Sequence, residues 1–175
     1  MSEQVAVVIV SIILLAGLAL IFIYFLFKSF RADCEEYYQL LLQKLGVRLD
    51  KIPNLVETVR HHLSGHEQLL ADLVALRANT WPLSNVKKRV HAELDVSGLV
   101  HKVWGLAAES RELERDTNFL ALKMEFKEIS KELEKMSEFY NQKVRNYNKI
   151  AGVFPLAPVL KLMRFGRMNI FEFEK

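Results

Sequence analysis

The first feature of the hydrophobic pattern is an apolar run near the N-terminus, from Val5 to Phe27. Its 23 residues include no charged side chain. As an α-helix the run would be about 34 Å long, enough for a bilayer core of about 30 Å. A helix buried in a globular core seldom reaches this length without a polar face. The pattern predicts one transmembrane helix over 5–27, preceded by a short tail of residues 1–4.

The flanks of this run indicate a retained anchor and its orientation. A cleaved secretory signal would have a basic start and an apolar stretch of about 7–15 residues, and this run has neither property. The basic residues near the span, Lys28 and Arg31, both lie on its C-terminal side. By the positive-inside rule, residues 1–4 would lie outside and residues 28–175 in the cytoplasm.

Beyond the span the pattern becomes helical throughout. Apolar residues recur at alternating spacings of four and three, as in coiled-coil packing, and Gly46 and Pro82 are natural breaks between such stretches. The predicted helices run from the span to about Leu45, from about Lys51 to Thr80, from about Ser84 to Glu109, and from about Thr117 to Ala151.

Four helices with short connections, each with one apolar stripe, bury these stripes against one another. The predicted fold class is all-α: a single N-terminal transmembrane helix followed by an antiparallel four-helix bundle over 28–151. Residues 152–175 would form a basic and apolar C-terminal tail. Ser97-Gly98 predicts a kink or break in the third helix.

The second helix carries histidines whose role the sequence leaves open. His62 and His66 are four residues apart, so on a helix they could share a zinc ion. A zinc-protease helix would have a further histidine at position 70, where Leu70 stands. His66 also falls in the apolar stripe, so we expect a buried histidine hydrogen-bonded to a neighbouring helix.

Two Tyr-Asn pairs lie on the fourth helix, Tyr140-Asn141 and Tyr147-Asn148. Their separation of seven residues places them on one helix face, two turns apart. Buried hydroxyl and amide groups need partners, so we expect a structural polar layer that fixes the register of the bundle. A ligand site built from the same side chains is the alternative.

The C-terminal tail combines basic and large apolar residues. From Pro158 onward, Lys161, Arg164 and Arg167 alternate with aliphatic, Met and Phe side chains. This composition is typical of an interfacial helix on anionic lipid. Packing of the tail against the end of the bundle is the alternative.

Composition and charge exclude several functions. The 175 residues include 24 Lys+Arg and 21 Asp+Glu, and the resulting net charge of +3 is too small to predict a nucleic-acid partner. The one cysteine, Cys34, excludes an intrachain disulfide framework and a multi-Cys zinc site. The chain has no Gly-x-Ser-x-Gly elbow and no phosphate-binding glycine loop. We therefore predict no catalytic residue, no cofactor and no enzymatic activity.

Several motifs resemble the LemA family of bacterial membrane proteins. The longest is the run from Leu49 to Arg60, Leu-Asp-Lys-Ile-Pro-Asn-Leu-Val-Glu-Thr-Val-Arg. The residues that carry the resemblance are Pro53, Asn54, Glu57, His66, Glu67, Asn118, Tyr140, Asn141, Tyr147, Asn148, Phe154, Pro155 and the terminal Phe171-Glu172-Phe173-Glu174. The similarity implies an N-terminal anchor, an antiparallel helical bundle and the bacterial inner membrane. It implies no reaction.

Together these features predict a non-enzymatic, membrane-anchored interaction or scaffold protein, with its helical bundle at the cytoplasmic face of the inner membrane. Its expected partners are the lipid bilayer and an envelope protein, and a second copy of the chain is possible. One alternative is a metal- or ligand-binding protein that uses His62 and His66. Another is a membrane-remodelling protein that acts through Lys161, Arg164 and Arg167.

Overall fold

The computed structural model describes residues 2–80, 86–153 and 156–171, and every regular element among them is helical. The predicted all-α class is confirmed. The elements are α1 (Ser2–Asp50), α2 (Ile52–Val59), α3 (Glu67–Thr80), α4 (Val86–Ala107), a 3-10 turn (Leu113–Arg115), α5 (Thr117–Ala151) and α6 (Leu156–Leu162).

The first helix is one element of 49 residues that includes the whole apolar run. Its most apolar 18-residue window has a mean hydropathy of 3.2 and contains no buried residue, and the helix is long and apolar enough to cross a membrane. The helix ends at Asp50 and not near Leu45, because Gly46 does not break it. Arg48 and Leu49 are both buried, and their packing outweighs the roughly 1 kcal/mol that glycine costs inside a helix.

The predicted second helix is two helices, so its continuity was wrong. The helix α2 ends at Val59, and α3 begins at Glu67. Between them Gly65 adopts a φ of 91°, a backbone conformation that glycine tolerates best. The Gly65 N–H donates to Glu67 Oε1 at 3.0 Å. This bond closes the turn and, with the backbone N–H of Glu67, holds the pKa of that carboxyl below its usual value.

The last two long helices agree closely with the sequence pattern. The helix α4 continues through Ser97-Gly98 without the predicted break, because Val96 and Val100 on either side are buried and hold the helix in place. The helix α5 has the predicted bounds. Asp116, one residue before it, accepts a hydrogen bond from the Phe119 N–H at 2.7 Å, as an N-cap does.

The chain divides into two compact units. Unit 1 comprises Met1–Glu36 and Lys143–Met168, and unit 2 comprises Tyr37–Gln142 and Asn169–Lys175. Unit 2 contains a continuous hydrophobic core. It is formed by Leu49, Ile52, Leu55, Val56, Val59, Leu63, Leu70, Leu73, Val96, Val100, Val103, Ala107, Leu113, Phe119, Leu122 and Phe126. The buried apolar residues described in unit 1 are Phe27, Cys34, Val144, Tyr147 and Leu160.

The C-terminal tail is less helical than the sequence predicts. The helix α6 has seven residues, after which Arg164 adopts a positive φ of 61°. The Phe165 N–H then donates to the Leu160 carbonyl at 2.8 Å, and the chain turns. Residues 165–171 have no regular secondary structure, so the prediction of an interfacial helix is wrong beyond Leu162.

Candidate functional site

The Tyr-Asn pairs bind the backbone of the C-terminal segment, residues 165–171. In unit 1, the Tyr147 hydroxyl donates to the Gly166 carbonyl at 3.1 Å. Asn148 then pairs with both polar groups of one residue. Its Nδ2 donates to the Met168 carbonyl at 2.8 Å, and its Oδ1 accepts from the Met168 N–H at 2.9 Å. We call this arrangement the first clasp.

The second clasp lies in unit 2 and repeats the same chemistry. The Tyr140 hydroxyl donates to the Asn169 carbonyl at 2.8 Å. Asn141 donates to the Phe171 carbonyl at 2.6 Å and accepts from the Phe171 N–H at 2.7 Å. Phe171 itself is fully buried, so this clasp combines backbone pairing with burial of a large aromatic side chain.

The repeat has a simple geometric basis. Seven residues of helix advance about 10.5 Å, and three residues of extended chain advance about 10 Å. A Tyr-Asn pair every seven residues on a helix can therefore meet a backbone every three residues. An asparagine amide presents one donor edge and one acceptor, which matches the N–H and C=O of a single peptide residue. The clasps thus recognise backbone and leave side chains free to add specificity.

These contacts give the Tyr-Asn residues a partner that the sequence did not indicate. We expected a polar layer that fixes helix register, and in each unit the described bonds run to the C-terminal segment. The sequence analysis did not identify the backbone carbonyls of Gly166 and Asn169, which accept the hydrogen bonds of the two tyrosines. A carbonyl leaves no mark in the residue type, so the seven-residue repeat of Tyr-Asn was the only available signal.

Aromatic packing joins the C-terminal segment to the C-terminal end of the apolar run within unit 1. The Phe165 ring lies 5.6 Å from the Tyr24 ring and 6.2 Å from the Phe27 ring, measured between centroids. Tyr147 lies 5.8 Å from Phe27 in an edge-on arrangement. Burial raises the pKa of Tyr147 despite the nearby Arg31 guanidinium. The hydroxyl therefore stays neutral and can donate its hydrogen bond.

The three basic residues of the tail are all exposed in this unit: Lys161, Arg164 and Arg167. Arg31, just after the apolar run, donates to the Arg164 carbonyl at 3.5 Å. Between these cations Leu162 is 86% exposed, the highest value among the large exposed apolar residues described. Cationic and apolar side chains thus share one solvent-facing segment beside the end of the apolar run.

Cys34 lies in the same unit and is buried. Burial raises the pKa of its thiol, and the neighbouring Asp33 raises it further, whereas Lys143 lowers it. A thiol of this kind stays protonated at neutral pH and is a poor nucleophile.

The histidines do not occupy the buried stripe. His66 is exposed and lies between α2 and α3, so the prediction that it is a core residue is wrong. The prediction fails because α2 ends at Val59, before His66. The His62 Nδ1 lies 3.1 Å from Glu112 Oε2 at the surface. Among the described residues there is no group of three or more His, Cys, Asp or Glu side chains placed to hold a metal ion.

The other residues singled out by sequence are dispersed. Pro53, Asn54 and Glu57 are exposed on α2, and Glu67 is exposed at the start of α3. Asn118 is exposed in the first turn of α5. Phe154 and Pro155 lie outside the described residues.

A buried ion pair in unit 2 had no distinct sequence signal. Arg48 of α1 pairs with Glu93 of α4, and its Nη1 also donates to Ser97 Oγ at 3.0 Å. Glu93 is 1% exposed, and its Oε2 has no hydrogen-bond partner among the described residues. Burial raises the pKa of Glu93 to about 6, although the Arg48 guanidinium lowers it.

The family model of the LemA family matches residues 38–175. No curated protein shows a significant match to the chain. The matched region includes both Tyr-Asn pairs and the C-terminal segment that they bind. Because the match covers most of the 175 residues, this chain belongs to the LemA family.

Proposed function

We propose that this chain is a non-enzymatic interaction protein anchored in the bacterial inner membrane, with its helical domain displayed at the cytoplasmic face. The anchor is the apolar part of α1, and Lys28 and Arg31 at its C-terminal end favour a cytoplasmic position for residues 28–175. The proposed partners are the membrane surface and an envelope protein.

The contact of Phe165 with Tyr24 and Phe27 is the observation that carries this proposal. Tyr24 and Phe27 are in the last turn of the apolar run, so they mark the membrane–water boundary of the anchor. The tail that bears Lys161, Arg164 and Arg167 would lie at the same level. Near an anionic leaflet each basic residue contributes about 1 kcal/mol. Membrane remodelling by this tail is a second candidate function, favoured by the exposed Leu162.

We also propose that unit 2 is an antiparallel bundle that offers its outer surface to a partner. Lys44 of α1 and Lys51, which directly follows α1, pair with Glu132 and Glu125 of α5, respectively. The partner numbers fall as the lysine numbers rise, which is the pattern of antiparallel neighbours. Helices packed in this way present rigid, charged faces suited to protein contacts.

A pair of reporter fusions at Lys175 tests the orientation. A cytoplasmic C-terminus gives a fluorescent green-fluorescent-protein fusion and an inactive alkaline phosphatase fusion. The matched control is K28E/R31E, which removes the charges that set the orientation and should give a mixed population. An active phosphatase on the wild-type chain would reverse the proposed topology.

Capture from native membranes tests the interaction role. The full chain should retain an envelope protein in a fixed ratio, whereas the same anchor fused to an unrelated helical domain should not. Equal recovery with both baits would contradict the proposal. Metal analysis of protein purified without an affinity tag is the companion experiment. Stoichiometric zinc that disappears in H62A/H66A would instead favour the metal-binding function.

A further inference from the structure

Unit 2 contains an open cleft between α4 and α5 that the interaction role does not use. Its volume is about 630 Å³, within the range of small-molecule sites. The aromatic part of its lining is Trp104 and Phe126, whose rings meet edge-on with centroids 5.5 Å apart. Phe126 is buried, so it forms a firm apolar part of the cleft wall.

A second part of the lining is cationic. Lys102, Lys123 and Lys127 line the cleft, and no carboxylate among the described residues does. Within that part of the chain none of these three lysines forms an ion pair. Lys123 and Lys127 are four residues apart on one helix, where like charges repel by a few tenths of a kcal/mol. By contrast, Lys44 and Lys51 both pair with acids of α5.

Local sequence explains why the cleft stays open and why its base is charged. Gly98 lines it without a side chain, and a Cβ at this position would meet no heavy atom within 4 Å. Next to it Ser97 accepts a hydrogen bond from Arg48, which also lines the cleft and is held by buried Glu93. A fixed guanidinium therefore lies at the base of the cleft.

We propose that this cleft binds a small organic anion, with its phosphate or carboxylate group on the three lysines and its flat apolar body on Trp104 and Phe126. Lys102, Lys123 and Lys127 are exposed side chains of one cleft that could each contact an anionic group, and the two aromatic rings add affinity for a hydrophobic body. The inference does not rest on the interaction role, since it follows from the side chains that line the cleft.

Phenyl phosphate is the probe, and Trp104 is the reporter. The chain has two tryptophans, so W81F leaves Trp104 as the one source of tryptophan fluorescence in the full chain. The protein is studied in nanodiscs of zwitterionic lipid. Phenyl phosphate should change the Trp104 emission saturably, and binding should weaken as salt is added. Inorganic phosphate and the uncharged phenyl glucoside should each bind more weakly than phenyl phosphate, by a factor of about ten or more.

Two variants locate the binding and one controls for charge. K123Q/K127Q should weaken binding about tenfold or more. K131Q/K135Q changes two exposed lysines at the same spacing on the same helix and should leave binding unchanged. G98L places a side chain in the cleft without removing a charge, and it should abolish binding while α4 stays folded by circular dichroism.

Four results would overturn the proposal. One is the absence of a saturable Trp104 response to phenyl phosphate. Another is an equal loss of binding in K123Q/K127Q and K131Q/K135Q. The third is equal affinity for inorganic phosphate, which would make the cleft a plain anion site. A Trp104 response to vesicles of anionic lipid, with none to phenyl phosphate, would also overturn it and favour a membrane surface as the partner.

Discussion

Different interactions stabilise the interior of each of the two units. Sixteen buried residues form one continuous core in unit 2, whereas five buried apolar residues are described in unit 1. Unit 1 relies on ring contacts and on the first clasp, in which two side chains bind backbone. The first kind of packing depends on buried area, and the second depends on a few directional bonds.

The contrast shows how side chains can hold a short C-terminal segment that has no regular secondary structure. A segment without regular structure has no internal ladder for its backbone groups, which must find other partners when they are covered. Asn141 and Asn148 supply these partners one residue at a time. The same side-chain chemistry thus serves a unit with a large core and a unit with a small one.

The largest expected effect is the loss of stability when the two tyrosines are truncated. Comparing alanine with phenylalanine variants separates the contribution of ring packing from that of the hydrogen bond. Y140A and Y147A should each cost about 3–5 kcal/mol, because a buried ring is lost and a carbonyl is stranded. In a chain of this size the unfolding midpoint should fall by roughly 6–20 °C. Thermal unfolding of the full chain in neutral detergent measures it.

The controls are Y140F and Y147F, which keep the ring and should cost only about 1 kcal/mol. Unchanged midpoints for the alanine variants, combined with loss of function in cells, would show that the tyrosines contact a partner instead.

The next effect concerns the asparagines and is local. N148A should free the backbone around Met168, and N141A should free Phe171, at a cost of about 1–3 kcal/mol each. Hydrogen–deuterium exchange by mass spectrometry should show faster exchange in 165–168 for the first variant and in 169–171 for the second. N146A, at an exposed position of α5, is the matched control. Equal acceleration throughout 165–171 in both variants would contradict two separate clasps.

A pH experiment addresses the buried pair of unit 2. The folded-state pKa of Glu93 is raised from 4.5 to about 6, so between these values the folded state binds more protons than the unfolded state. Stability should fall as pH rises through this window, by about 2 kcal/mol in total. The wild-type chain should therefore gain stability from pH 7 to pH 4.5 relative to E93Q. A constant difference between the two chains over that window would contradict the assigned cause.

The sequence predicted some elements of the fold for clear physical reasons. The helix α5 has a strong N-cap in Asp116 and an uninterrupted apolar stripe, and its bounds could be read directly. The break between α2 and α3 does not follow from the apolar spacing, because Leu63 and Leu70 keep the helical spacing and are both buried although the chain turns between them; only the unequal lengths of the predicted helices pointed to a break near Ser64-Gly65 or to a tilted bundle. Periodicity records burial, and it does not record whether the backbone stays helical.

For a related reason, the sequence predicted the side chains of the candidate site but not the groups that they bind. The seven-residue repeat singled out the Tyr-Asn pairs, but their partners are backbone groups of Gly166, Met168, Asn169 and Phe171. Any residue has such groups. The sequence could therefore identify the side chains of the clasps and not the segment they bind.

The smallest effect per residue is expected for the basic tail. In nanodiscs, anionic lipid should slow hydrogen exchange of the described backbone around Lys161, Arg164 and Arg167, and each of these residues should contribute about 1 kcal/mol. K161Q/R164Q/R167Q should remove the protection, as should high salt. K131Q/K135Q on α5 should leave it intact. Protection that is the same on zwitterionic lipid would show that the tail binds protein and not the membrane surface.

The depth of Leu162 tests the central claim most directly, namely the proposal that the basic C-terminal tail lies at the membrane surface beside the apolar run of α1. A nitroxide label is attached to L162C in a C34A chain, in nanodiscs with anionic lipid, and its exposure to oxygen and to a water-soluble nickel chelate is compared. We predict a label about 5–10 Å below the headgroups, more accessible to oxygen than to nickel. A label as accessible to nickel as one at the exposed position 131 would contradict this placement.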